Sequence, residues 1–242
     1  MYHPFSIAET LKTAWGIFKK SFVTVIVYSV VTLFVLIIMG IVLGILITSD
    51  NYYVDMLVSL IIVIFQSYTT LGLNKLIFTL MDREFYEFEI SQIFPRFTML
   101  MSFLAIWFLF IAAVVTYNLI IIRISDFTLV HDIGILIGIT AFLYFVLRLM
   151  FFSCYIVDED SGPIECVKQS FALTRGHLLH TFNILLIVLA LIAVPAILAK
   201  YFIIAPLFLA FSFPFVNIFV MVAYRKLIYS HQDVDDNIAE TV

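Results

Sequence analysis

The sequence predicts an all-α, polytopic membrane protein: six transmembrane helices, pseudo-repeated, with interfacial amphipathic helices on the cytoplasmic side. Three observations predict it. The 242 residues are 64% hydrophobic and only 12% charged, with a mean hydropathy of +1.14, whereas ordinary soluble domains are about half apolar and a quarter charged. Apolar runs of 20 residues or more alternate with short polar connectors. The basic residues, finally, collect in alternate connectors, as the positive-inside rule requires.

The first apolar run spans Phe22 to Thr48. The "KK" at 19–20 before it resembles the n-region of a secretory signal, but the run far exceeds the 7–15 residues of a signal h-region. We read it as a retained span. The full set of predicted spans is 22–48, 54–80, 97–122, 133–157, 178–203 and 206–229. Each is long enough to cross a bilayer, which takes about 20 residues. Barrel strands would be near ten residues long with period-two alternation, and no such pattern is present.

Orientation follows from the 13 Lys and Arg residues. With the N-terminus cytoplasmic, Lys12, Lys19, Lys20, Lys75, Arg83, Arg96, Arg148, Lys168, Arg175, Arg225 and Lys226 fall on the inner side, and only Arg123 and Lys200 on the outer. The chain is therefore expected to be multi-pass, with an even number of spans and both termini in the cytoplasm. The net charge of −4 carries little weight beside this placement.

Between spans the inner connectors read as helices. In "FSIAETLKTAWGIFKKSF", Phe5, Ala8, Leu11, Trp15, Phe18 and Phe22 recur at three- and four-residue intervals, with Glu9, Lys12, Thr13, Lys19 and Lys20 opposite. Ser6 and Glu9 form a capping box. A basic amphipathic helix of this kind suits the headgroup plane, with Trp15, Phe18, Lys19 and Lys20 as anchors. In "GPIECVKQSFALTRGHL", Pro163 fits the first helical position and Glu165 complements the helix dipole. Ile164, Val167, Phe171 and Leu178 form the stripe, Phe171 anchors, and Gly176 breaks the helix.

The two segments align at an offset of 156, placing Glu9, Lys12, Trp15 and Lys19 on Glu165, Lys168, Phe171 and Arg175. A more degenerate version, "FEISQIFPRF" at 88–97, precedes the third span. One transmembrane domain, 1–229, thus reads as three repeats of an interfacial helix and a two-span hairpin: 1–82, 83–159 and 160–229. The acidic tail 230–242 is expected to be disordered.

The first segment, together with "RLMFFSCYIVDEDSGPIECVKQSFALTRGH" at 148–177, resembles a group of bacterial polytopic membrane proteins. The group includes the membrane domain that precedes the catalytic barrel of some glycerophosphodiester phosphodiesterases, and the YciC-like proteins. Arg148, Val157, Asp158, Glu159, Gly162, Glu165, Lys168, Ser170, Thr174, Arg175 and Gly176 fit its pattern; Cys166 departs from it, standing where a small residue such as alanine is usual. The resemblance implies an all-helical inner-membrane protein. It implies no catalysis, because the phosphodiesterase barrel, about 250 residues of its own, has no counterpart here.

The predicted spans contain no carboxylate in their interiors, which argues against proton- or cation-coupled transport. No H-E-x-x-H, G-x-S-x-G or P-loop motif occurs. We therefore expect no catalytic residues, metal or cofactor. His177 and His180 share a helix face, but a pair alone is a weak metal signal. Asp158, Glu159 and Asp160 read as a solvated turn. Cys154 and Cys166 read as small apolar fillers. Gln66, Asn74 and Asn118 suggest interhelical hydrogen bonds, and Pro195 and Pro214 suggest kinks in the last hairpin. Arg148 and Lys75 sit inside predicted spans, where snorkelling, structural pairing and a polar cavity for an anionic headgroup all stay open. With Lys168 and Arg175 they form the candidate lipid-binding set.

The functional expectation is a lipid-binding or scaffold role in envelope or lipid homeostasis. The alternatives are an uncoupled transporter or channel for a small amphiphile, and a membrane enzyme acting on phospholipid. Expected partners are membrane lipids, anionic ones included, and a second copy or another membrane protein, but no nucleic acid.

Overall fold

A computed structural model describes residues 6–46, 52–82, 93–124, 128–198, 201 and 205–239. Among them are nine helices: α1 (Ile7–Lys20), α2 (Phe22–Leu46), α3 (Tyr52–Asp82), α4 (Phe97–Arg123), α5 (Thr128–Arg148), α6 (Phe152–Asp158), α7 (Pro163–Leu173), α8 (Leu178–Leu198) and α9 (Ala205–Ala239). Six spans are long and apolar enough to cross a membrane: Phe22–Gly44, Tyr53–Asp82, Phe97–Arg123, Thr128–Asp158, Leu178–Leu198 and Phe211–Tyr229. The protein is a multi-pass integral membrane protein. Its exposed surface agrees, since side chains such as Phe108, 77% exposed, would be costly in water and cost nothing in lipid.

The chain forms two compact units. One comprises residues 1–96 and 182–242, the other residues 97–181. In the first unit α9 packs against α1, α2 and α3, and α2 against α3. The joints are aromatic. Phe18 meets Phe215 at 5.5 Å and Phe22 at 5.3 Å, Phe22 stacks on Phe211 at 5.9 Å, and Phe78 meets Tyr224 at 5.9 Å. Ion pairs close the ends of these helices: Arg225 Nη2 lies 2.9 Å from Asp82 Oδ2, and Lys226 Nζ 3.6 Å from Glu9 Oε1. Ser6 caps α1 by accepting from the Glu9 amide. The reciprocal half of the expected capping box does not form, because the Glu9 carboxylate faces Lys226 instead.

In the second unit α6 and α7 pack on one another and on α4, and α4 also packs on α5. Here the sequence expectation needs correction. The fourth span was expected to be one helix over 133–157, but it starts at Thr128 and is interrupted between α5 and α6. The physical cause is a side chain in the helical ladder. Ser170 Oγ on α7 donates to the Arg148 carbonyl at 2.6 Å, so Phe152 N–H turns to the Leu149 carbonyl at 3.2 Å. Pro163 occupies the first turn of α7, as expected. Gly176 ends the connection to α8 with φ +84°, a left-handed conformation that side-chain-bearing residues rarely adopt.

Pro195 and Pro214 lie inside α8 and α9, and α9 continues as helix to Ala239, past residue 229 where the last apolar run ends. Residues 88–92 of the third expected amphipathic segment, 88–97, lie outside the described residues. The part that is described, 93–96, contains no α-helix.

The faces of α1 and α7 that pack against protein are not their most apolar ones. On α1 the buried residues are Thr10, Ala14 and Phe18, while Leu11 and Trp15 remain substantially exposed. On α7 and its cap they are Cys166, Ser170, Leu173 and Thr174, while Ile164 is 71% exposed. Small residues and hydroxyls allow close backbone approach and interhelical hydrogen bonds, whereas lipid accepts the larger apolar side chains.

Candidate functional site: the α4–α5–α7 groove and the Arg148 clamp

Arg148 ends α5 and reaches across to α7. Its Nη1 donates to the Phe171 carbonyl at 3.2 Å and to Thr174 Oγ1 at 3.2 Å, and its Nε donates to Tyr144 Oη at 3.3 Å. The guanidinium lies over the rings of Tyr144 (5.3 Å) and Phe171 (5.8 Å). The carbonyls at a helix C-terminus lack intrahelical partners and carry the negative end of the dipole, so a cation there is doubly stabilised. With Ser170 Oγ bonding back to the Arg148 carbonyl, α5 and α7 are joined in both directions. Arg148 is thus paired within the protein.

Lys75 is used similarly in the other unit. Its Nζ donates to the Phe94 carbonyl at 3.0 Å, holding the segment that leads into α4. Neither Arg148 nor Lys75 is therefore free to take a headgroup with all its donors. Arg175 is exposed just beyond α7.

Lys168 is placed differently. It lines an apolar groove of about 1030 Å³ walled by α4, α5 and α7. Residues from Ala105 to Ile121 form the α4 wall, a length of about 24 Å at ~1.5 Å per residue. Phe142 and Phe145 contribute from α5, and Ile164, Val167 and Phe171 from α7. Three polar side chains share this wall, and two are already occupied: Tyr117 Oη donates to the Gly134 carbonyl at 2.6 Å, and Asn118 Nδ2 to the Val114 carbonyl at 2.9 Å. Among the described residues, Lys168 is the only charged one that lines the groove, and no carboxylate pairs with it. Sequence reasoning singled out Lys168 through its charge, but the groove's apolar walls carried no signal distinct from the rest of the spans.

The remaining candidates fall outside this groove. Trp15 is 48% exposed, with Lys19 Nζ 5.6 Å above its ring, and Lys20 is exposed. Phe18, expected as an anchor, is instead turned into the protein at 5% exposure. The turn after α6 is tied to α7 through Gln169, which donates to Glu159 Oε2 at 2.6 Å and accepts from Ser161 Oγ at 3.0 Å. His177 and His180 have ring centroids 5.9 Å apart, and among the described residues no three His, Cys, Asp or Glu gather as a metal site would need. Cys154 and Cys166 are buried and are not joined in a disulfide. Burial pushes the Cys166 thiol up to about 11, far from the range of a reactive thiolate.

No family model, curated protein or solved structure matches this chain.

Proposed function

We propose that this protein holds an anionic membrane lipid in the α4–α5–α7 groove, with an acyl chain along the apolar walls and Lys168 facing the headgroup. The observation that carries the reading is the pairing of a long apolar groove with one uncompensated cation. Such a cation favours a negatively charged ligand, and the ligand at hand in a bilayer is lipid. Arg148 and Ser170 have a supporting role, fixing α7 as the third wall. The protein acts without catalysis, as a lipid-holding or scaffold component of the bacterial inner membrane. Its N-terminus is cytoplasmic, which follows from the distribution of Lys and Arg.

A threefold repeat belongs to the same reading, and two observations support it. The buried residues Thr10, Ala14 and Phe18 of α1 align with Cys166, Ser170 and Thr174 at the offset of 156. In addition, the second span of each predicted hairpin presents a base to an interfacial segment: Lys75 to Phe94, Arg148 to Phe171, and Lys226 to Glu9.

Native mass spectrometry of the detergent-purified protein tests the lipid reading. The wild type should carry anionic lipid, Lys168→Ala should shift the retained lipid towards zwitterionic species, and Ala113→Trp, which fills the groove, should remove it. Unchanged lipid adducts in both variants would sink the proposal.

A further inference from the structure

A second concavity lies in the other unit and is chemically unlike the groove. It measures about 210 Å³ and is walled by Tyr28, Ser29 and Thr32 of α2, Gln66, Thr69 and Thr70 of α3, four apolar side chains among them Leu33 and Phe213 completing it. Gly72 allows the α2–α3 approach: a Cβ there would collide with Tyr28 Oη.

The hydrogen-bond inventory of this notch is one-sided. Tyr28 Oη donates to the Thr69 carbonyl at 2.9 Å, Ser29 Oγ to Val25 at 2.9 Å, Thr69 Oγ1 to Gln66 at 3.0 Å, and Thr70 Oγ1 to Gln66 at 2.8 Å. Each hydroxyl has one proton and two lone pairs, so these four have spent their donors on backbone carbonyls; Tyr28 Oη also pairs with the Thr32 side chain, which leaves Ser29, Thr69 and Thr70 to present acceptors. The Gln66 carboxamide offers two N–H donors and an acceptor. Its side chain is exposed and makes no hydrogen bond among the described residues. It stands near the middle of the 31-residue α3, at a depth where lipid tails can satisfy neither group.

We propose that this notch is a self-association surface, in which a second copy of the chain supplies the missing donors through its own Gln66. A symmetric dimer of two copies inserted in the same orientation has its axis along the membrane normal. Under a two-fold axis of that kind, residues near the axis meet their own counterparts at the same depth. Glutamine suits that symmetry because its amide is both donor and acceptor. Each Gln66 N–H₂ then reaches the acceptor-rich notch of the other copy. A volume of 210 Å³, roughly seven waters at ~30 Å³ each, has room for a pair of carboxamides.

The test uses full-length protein, singly labelled and reconstituted in liposomes over a range of protein-to-lipid ratios, with dimer fraction read by single-molecule photobleaching. The wild type should dimerise reversibly. Gln66→Leu should weaken the dimer roughly three- to thirty-fold, the range for polar contacts between membrane helices, and Gln66→Asn should retain part of it. The melting temperature of Gln66→Leu in dilute detergent should match the wild type, because Gln66 makes no side-chain bond among the described residues. Gln66→Cys should cross-link to its counterpart under mild oxidation. A protein that stays monomeric at every ratio, or a dimer that Gln66→Leu leaves intact, would overturn the proposal. Neither result would bear on lipid in the α4–α5–α7 groove, which is read by mass and involves none of these residues.

Discussion

Helices α1 and α7 share three buried positions at an offset of 156 residues, yet different forces hold them. At those positions α1 carries Thr10, Ala14 and Phe18, and α7 carries Cys166, Ser170 and, at its cap, Thr174. Where α1 has a phenyl ring packed on Phe215, α7 has a hydroxyl that receives the Arg148 guanidinium. One docking is apolar with an ion pair at its edge; the other is a mutual set of hydrogen bonds between a helix end and a cation. A shared register thus specifies which face turns inward, and the side chains in that register specify how strongly, and by what interaction, the face is held.

This comparison can be broken from its apolar side first. Phe18→Ala removes a nearly fully buried ring from the α1–α9 joint, a change of a kind that costs about 3 kcal/mol. We expect the largest drop in melting temperature from this variant, with protease cleavage appearing first in α1. A loss below about 1 kcal/mol would mean that lipid, rather than Phe215, holds α1 in place.

The polar side comes next. Arg148→Ala leaves the Phe171 carbonyl and the Thr174 hydroxyl without their cation, and bonds to charged groups contribute about 1.5–3 kcal/mol. Hydrogen exchange should accelerate in α7 while α1 stays protected, and Arg148→Lys should restore only part of the protection, since lysine lacks the planar fork. Equal acceleration in both helices would erase the distinction between the two dockings.

The smallest effect should come from Lys226→Ala. Its partner Glu9 has a side chain 65% exposed, and exposed pairs contribute at most about 0.5–1 kcal/mol and fade with salt. A melting-temperature change that persists in high salt would show the pair to be more than an edge contact.

Much of this was legible in the sequence. The runs of apolar residues located all six spans, because a bilayer imposes a minimum length on any segment that crosses it. Pro163 and Gly176 marked the start of α7 and the turn into α8 through their own backbone restrictions. Lys168 and Arg148 stood out as cations in or beside apolar runs. What could not be read was their division of labour. Arg148 is occupied because Ser170 and Thr174, 22 and 26 residues away, are brought beside it by a turn whose path depends on packing. For the same reason the α5–α6 interruption was invisible: nothing in "LRLMFFSCY" breaks a helix, and the break comes from a hydroxyl on another element.

The sequence by itself thus determined that the chain is a multi-pass helical membrane protein and where its spans lie, since both follow from local composition measured against a lipid solvent. Which faces turn inward was left to the tertiary structure. In water, apolarity predicts burial; in lipid, span side chains such as Phe108 lose nothing by remaining outside, and Thr10, Ser170 and Thr174 go inside because that is where their hydrogen bonds and close contacts can be made.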